Sequence, residues 1–132
     1  MIGLSNVRDW LKTLEAKANH YYVGRLDSKE EKSIGVYQLR ADGGSAIAYG
    51  GLVCTKTGEK NVSILIHWNK NYRETEEFSQ KLYDELQTLE GVVINGHKVN
   101  YIQLLNSEPI DVDKGDDLVY ERVIEAKIYY ER

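Results

Sequence analysis

The chain has 132 residues, a net charge of −4 at pH 7 and one cysteine. Its length predicts a single domain over residues 1–132 that can bury a core. The mild acidic excess argues against a primary nucleic-acid binder, and a lone Cys54 excludes an intramolecular disulfide and a cysteine-based zinc cluster. With no signal-peptide pattern, and no apolar run near the roughly 20 residues that span a bilayer, we expect a cytoplasmic protein.

The first predicted element is a helix of about four turns. Ser5 is its expected N-cap and Asn19 its terminator. The apolar stripe of this helix comprises Val7, Trp10, Leu11, Leu14 and Ala18.

Two strands are predicted next, over residues 21–26 and 33–40, and the polar connection 27–32 between them predicts a hairpin. Gly24 and Gly35 inside these strands indicate a bulge or a close backbone approach.

Paired glycines bracket residues 41–51, but neither nucleotide-binding glycine pattern fits them. A mobile loop or a β-bulge is the favoured interpretation. Residues 52–55 are predicted to form a short strand.

The apolar run Val62–Trp68 predicts a strand in the middle of the sheet, covered on both faces. A helix follows, with Asn71 as N-cap, Glu74 completing a capping box and Gly91 as the C-terminal cap. Its apolar positions recur at helical spacing. The expected core residues of strand and helix are Ile64, Ile66, Leu82 and Leu86.

The segment 92–105 predicts a hairpin, because Asn95-Gly96 is the dipeptide favoured in a type I′ turn. An acidic connector follows over residues 108–117, and alternating residues 118–132 predict a long final strand. The fold class is α+β, a mostly antiparallel or mixed sheet packed against two helices in the order α-β-β-β-α-β-β-β.

No chemical motif identifies an active site. His20, His67 and His97 lack metal-ligand spacing, and the stretch Asp111–Asp117 departs from a calcium-binding loop at its glycine and at its twelfth position. We therefore predict no catalytic, cofactor-binding or metal-binding residues and no enzymatic activity.

The ten tyrosines, against one phenylalanine, indicate either plain sheet surface or an assembly interface, because the ring packs while the hydroxyl stays wet.

The order of elements resembles a known family. A helix precedes the strands Tyr-Tyr-Val-Gly-Arg-Leu26 and Ser-Ile-Gly-Val-Tyr37, then come the Gly-Gly loops and Val-Ser-Ile-Leu-Ile-His-Trp-Asn-Lys-Asn71 before the second helix. Together with the long final strand, this resembles the phage minor capsid protein family that groups with tail terminators of long-tailed bacteriophages.

The resemblance implies a structural virion protein whose copies form a ring, commonly of six, that caps the tail tube and presents a surface to the head connector. It implies as partners the tube protein, the connector proteins and DNA that passes without specific binding, and a virion location after assembly in the host cytoplasm. It carries over no catalytic residue.

For such an assembly, the exposed loops 27–32, 55–60 and 107–117 are the candidate contacts. Their charged candidates are Lys29, Lys32, Lys56, Lys60, Asp111, Asp113, Asp116 and Asp117. Two alternatives remain: a small α+β binding or adaptor domain, and a metal-using hydrolase built on the acidic connector.

Overall fold

The computed structural model describes residues 1–39, 56–112 and 118–132. Two helices and seven strands occur within these ranges, which confirms the α+β class. The elements are α1 (Leu4–Leu11), β1 (His20–Val23), β2 (Ser33–Gln38), β3 (Thr57–His67), α2 (Tyr72–Thr88), β4 (Val93–Ile94), β5 (His97–Leu104), β6 (Ile110–Val112) and β7 (Glu121–Glu131).

The sheet is mixed, with its strands in the order β1-β2-β3-β7-β5-β4. Its centre is the antiparallel pair of β3 and β7, matched from Thr57 opposite Glu131 to His67 opposite Glu121. The other side of β7 is shared, because β5 pairs with its second half and β6 with its first residues. Strand β6 was not predicted, because the sequence indicated only an acidic connector there.

The two helices cover one face of the sheet, so β7 alternates between buried even-numbered and half-buried odd-numbered residues. The predicted core positions Ile64, Ile66, Leu82 and Leu86 are all buried, which confirms the central strand and the helix that covers it. The expected full cover of β3 on both faces was wrong in part. Its residues facing away from the helices, here called the open face, include half-buried Asn61, Ser63 and Leu65.

The predicted hairpin of β1 and β2 was wrong, because the two strands are parallel and His20 lies opposite Ser33. The connection from Gly24 to Lys32 returns to the starting end of β1, so that the next strand runs in the same direction. The two residues that bound this connection have positive φ, 71° at Gly24 and 55° at Lys32. The Lys32 carbonyl accepts the N–H groups of Asn19 and His20, which holds the two strand starts together.

The close approach expected at Gly35 is confirmed. A Cβ atom there would lie 2.8 Å from the Tyr37 ring and 3.3 Å from Leu26. The Tyr37 ring therefore needs a glycine beneath it.

The helix boundaries follow their caps. Asn71 Oδ1 accepts the N–H of Glu74, as predicted, but the Glu74 carboxylate binds the Asn69 amide instead of completing the capping box. The helix ends at Thr88 with Leu89 as its C-cap, so Gly91 is not the capping residue, although it adopts the predicted left-handed conformation with a φ of 68°. Helix α1 begins after Gly3 and spans only eight residues, although Leu14 remains buried.

The Asn95-Gly96 turn is confirmed, with φ of 50° and 77°. Strand β7 starts at Glu121, three residues later than predicted, and carries the expected apolar residues on its core face. The predictions for residues 41–51 and 52–55 fall outside the described residues, and so do Asp113, Asp116 and Asp117.

Candidate assembly surfaces

One end of the sheet carries two of the predicted contact segments. At this end, called the His67 end, His67 of β3 lies opposite Glu121 of β7. The Lys32 N–H donates to the Trp68 carbonyl at 2.6 Å, which places the segment 27–32 directly beside the end of β3.

His67 ties this segment to the central strands. Its Nδ1 lies 2.9 Å from the Glu121 carboxylate and its Nε2 lies 3.0 Å from the Ser28 carbonyl, while the side chain is 1% exposed. Both ring nitrogens therefore lie within hydrogen-bonding distance of an acceptor, the carboxylate of Glu121 and the backbone carbonyl of Ser28. The sequence places His67 in the predicted buried run Val62–Trp68, but only the tertiary structure supplies the two acceptors.

The basic candidates Lys29 and Lys32 are exposed at this end. The Lys29 N–H donates to the Asp27 carboxylate, which fixes the turn and leaves the Lys29 side chain at the surface. The Lys32 ammonium lies 5.8 Å from the Trp68 ring centroid, within cation–π range. Two cations therefore project beside the β2 side of the sheet.

Asp111 lies at the same end, on the other side of the central pair. It belongs to β6 and lies opposite Arg122 of β7. One carboxylate oxygen is 3.1 Å from the Arg122 Nε, and the other accepts the Tyr72 hydroxyl at 2.8 Å. Although its carboxylate is engaged within the chain, the side chain is 57% exposed and still presents negative charge at the rim.

The sequence did not reveal the role of Arg122, which links β7 to α2 and to the segment before β6. Alternation places it on the core face of β7, where it is 6% exposed, donates to the Ser79 hydroxyl of α2 and binds the Pro109 carbonyl. The Asp111 carboxylate opposes its charge, and its two terminal nitrogens donate to polar groups of two segments. The signal available in the sequence was an arginine at a position of the final strand that alternation predicts to be buried.

The remaining cations lie at the opposite end. The Lys56 carbonyl accepts the Arg132 N–H at 2.9 Å, and Lys60 lies in β3 opposite Ile128. The structure thus brings Lys29, Lys32 and Asp111 to one end and separates Lys56 and Lys60 from them.

The open face carries a tyrosine pair. The rings of Tyr101 and Tyr129 stack with centroids 4.5 Å apart, and the Tyr129 hydroxyl donates to the Gln103 side chain. Partial burial, followed by the nearby Tyr101 and Glu59, raises the pKa of Tyr129 above its ordinary value. The Tyr129 phenol therefore stays neutral at pH 7, and Tyr101 is 56% exposed.

Residues 1–39, 56–112 and 118–132 contain no group of three or more histidine, cysteine, aspartate or glutamate side chains placed to hold a metal ion. Over the same ranges, no helix combines the length and apolar character needed to cross a bilayer.

The comparison with known families agrees with this architecture. No curated protein sequence is significantly similar to the chain. A family model described as bacteriophage tail terminator protein matches residues 2–132. That match confirms the resemblance, and it supports a structural role in assembly of the virion tail. The chain belongs to the bacteriophage tail terminator protein family.

Proposed function

We propose that copies of this chain form a closed ring of six, which caps the finished tail tube and joins it to the head connector. The family match over residues 2–132 carries this proposal, because it covers nearly the whole chain. The chain acts in this role as one domain and as a structural component, without catalysis or a cofactor.

The placement of charge supports a head-to-tail contact between copies. A ring of more than two copies closes only when one patch fits a different patch on its neighbour. Lys29 and Lys32 lie beside β2, and Asp111 lies on β6, so the central strands β3 and β7 separate them at the same end of the sheet. Positive charge on one side of the His67 end and negative charge on the other side suit a contact that repeats from copy to copy around an axis.

This contact between exposed charges contributes little binding free energy by itself. Exposed charge pairs steer and orient partners more than they bind them, and they weaken with salt. We infer that the ring is completed on the tail tube, with the tube protein as the partner that holds the copies together. A monomer alone in solution fits this assembly route.

The proposed place of action is the tail and neck of the virion, reached by assembly in the host cytoplasm. DNA then passes through the ring. The net charge of −4 supports passage without tight binding, because basic linings hold phosphate strongly.

The test combines purified tail tubes with this protein and images the tubes by electron microscopy. A tail terminator caps one end of each tube and prevents further addition of tube protein. Decoration along the tube sides, or no binding at all, would contradict the proposal. The latter result would favour the alternative of a binding or adaptor domain.

A further inference from the structure

The outer edge of β5 is unpaired over part of its length. On its inner side β5 pairs with β7, whereas β4 covers the outer side only at His97 and Lys98. The Val99 N–H still reaches the Val92 carbonyl. Within the described part of the chain, no strand pairs with the outer edge from Asn100 to Leu104.

The phase of the ladder identifies which peptide groups point outward. The Leu105 N–H donates to the Glu125 carbonyl, so this pair is a hydrogen-bonded one, and alternate residues toward Tyr101 share its phase. The N–H and C=O groups of Ile102 and Leu104 therefore point away from β7. They form a short row of donors and acceptors for another extended strand.

The sequence of this edge offers no protection against such pairing. Edge strands are usually blocked by charge, proline or a covering element. Residues 99–105 contain neither a charge nor a proline. Tyr101 and Leu105, which lie on the open face of this strand, are 56% and 38% exposed. An uncharged edge with two exposed apolar side chains favours a protein strand as its occupant.

We propose that this edge binds the same edge of a second copy, antiparallel and about a two-fold axis at Gln103. Ile102 of one copy then lies opposite Leu104 of the other, so their outward peptide groups meet as hydrogen-bonded pairs. Tyr101 lies opposite Leu105 of the second copy, and each covers an exposed apolar side chain of the other.

Charge complementarity favours the antiparallel direction of this pairing. Lys98 flanks the uncharged stretch at one end and Glu108 follows it at the other, and both are exposed. Antiparallel pairing about Gln103 brings the Lys98 end of each copy to the Glu108 end of its partner, twice per dimer. The pattern of charge thus favours the antiparallel direction, and the phase of the peptide groups limits the register.

The space beside the edge suits this pairing. A groove of about 330 Å³ lies between the end of α2 and β5, and its apolar lining includes Leu86, Leu89 and Ile102. Ile102 and Leu104 lie on the core face, so Leu104 of the second copy reaches the rim of this groove. After Leu105 the chain leaves the extended conformation and bends.

This contact does not rest on the proposed ring. It is isologous, whereas a ring of six needs a heterologous contact. The two interfaces use different surfaces, since the ring contact is assigned to the His67 end. The two-fold contact therefore joins free copies in pairs or joins two rings edge to edge.

Disulfide trapping tests the pairing directly. In a Cys54→Ser background, Gln103→Cys places two thiols across the axis in a non-hydrogen-bonded pair, with Cα atoms about 4.5 Å apart. Lys127→Cys is the matched control, because Lys127 is the cross-strand neighbour of Gln103 on the same face. Three strand spacings separate two copies of position 127, about 14 Å, beyond disulfide reach.

Mild oxidation should convert Gln103→Cys into a covalent dimer and leave Lys127→Cys monomeric on a denaturing gel. Equal or no cross-linking of the two variants would overturn the proposal. Because tube capping is read separately, this result and the ring are judged independently.

Charge variants test the register without a cross-link. Gln103→Lys sets like charges opposite each other and should weaken dimerisation about fivefold or more in sedimentation equilibrium. Lys98→Glu should also weaken it, and Lys98→Glu with Glu108→Lys should restore it. A dimer unaffected by Gln103→Lys, or a double variant as weak as the single one, would overturn the two-fold register.

Discussion

The Glu85 carboxylate accepts the backbone N–H of Ala16 through Oε1, while its Oε2 accepts the N–H of Glu15, each at 2.8 Å. These donors follow the short helix α1, and the acceptor lies on α2. The contact fixes the chain after α1 in an irregular turn. The helix itself ends at Leu11, although the predicted apolar stripe continues to Ala18.

We expect Glu85→Ala to lower the free energy of unfolding by about 1–3 kcal/mol, because two hydrogen bonds to a charged acceptor are lost. Denaturant unfolding monitored by circular dichroism measures this change. Glu77→Ala is the control, since Glu77 is exposed on the same helix and should change stability by less than about 0.5 kcal/mol. Equal effects of the two substitutions would refute the anchoring role of Glu85.

Leu82→Ala tests the packing of α2 on the sheet. Leu82 is 1% exposed in the core, so its truncation should cost about 2–5 kcal/mol of unfolding free energy. Lys81→Ala, one residue earlier on the exposed side, is the matched control. A loss below about 1 kcal/mol in a denaturant melt would show that the cavity collapses or that the helix face is misassigned.

Tyr37 should make stability depend on alkaline pH. Burial, and then the charge of Glu121, raise the pKa of Tyr37 above its ordinary value of 10.0, although a hydrogen bond with the Leu26 backbone opposes them. The folded state thus holds the phenol proton more tightly than the unfolded state. This contribution is complete below pH 10 and declines as the pH rises from there through the folded pKa.

The measurement is denaturant unfolding at several alkaline pH values for the wild type and Tyr37→Phe. The variant should lose part of the decline in stability above pH 10. Identical pH profiles for the wild type and Tyr37→Phe would show that Tyr37 ionises equally in both states.

Lys29→Glu tests the proposed ring contact. Reversing this exposed charge should slow or weaken tube capping at low salt, and the defect should shrink as salt screens the contact. Lys81→Glu reverses a charge on α2, away from the His67 end, and should cap as the wild type does. A Lys29→Glu protein that caps normally at low salt would remove this segment from the contact.

Chelator treatment should leave the melting temperature unchanged. The sequence departs from a calcium-loop pattern in the acidic connector, so no bound ion is expected to stabilise the folded state. Differential scanning fluorimetry with a chelator, then with added calcium or magnesium, measures the shift. An increase of several degrees with either ion would instead assign the acidic connector a binding role.

The sequence by itself determined the elements whose signals are local. The Asn95-Gly96 turn follows from the positive φ of both residues, and the Asn71 cap follows from its side-chain oxygen. The core pairing of β3 with α2 follows from a short apolar run next to a helical apolar stripe. In each case the residues that determine the structure lie within a few positions of one another.

The tertiary structure decided what depends on distant partners. The direction of β1 relative to β2 depends on Lys32, whose backbone groups join Asn19, His20 and Trp68. The path of the chain after α1 depends on Glu85, about 70 positions away. The strand β6 and the burial of Arg122 depend on each other through Asp111, because a buried guanidinium persists only where acceptors converge on it. Periodicity reports which face of an element is apolar, but the partner of each polar group is chosen only when the sheet closes.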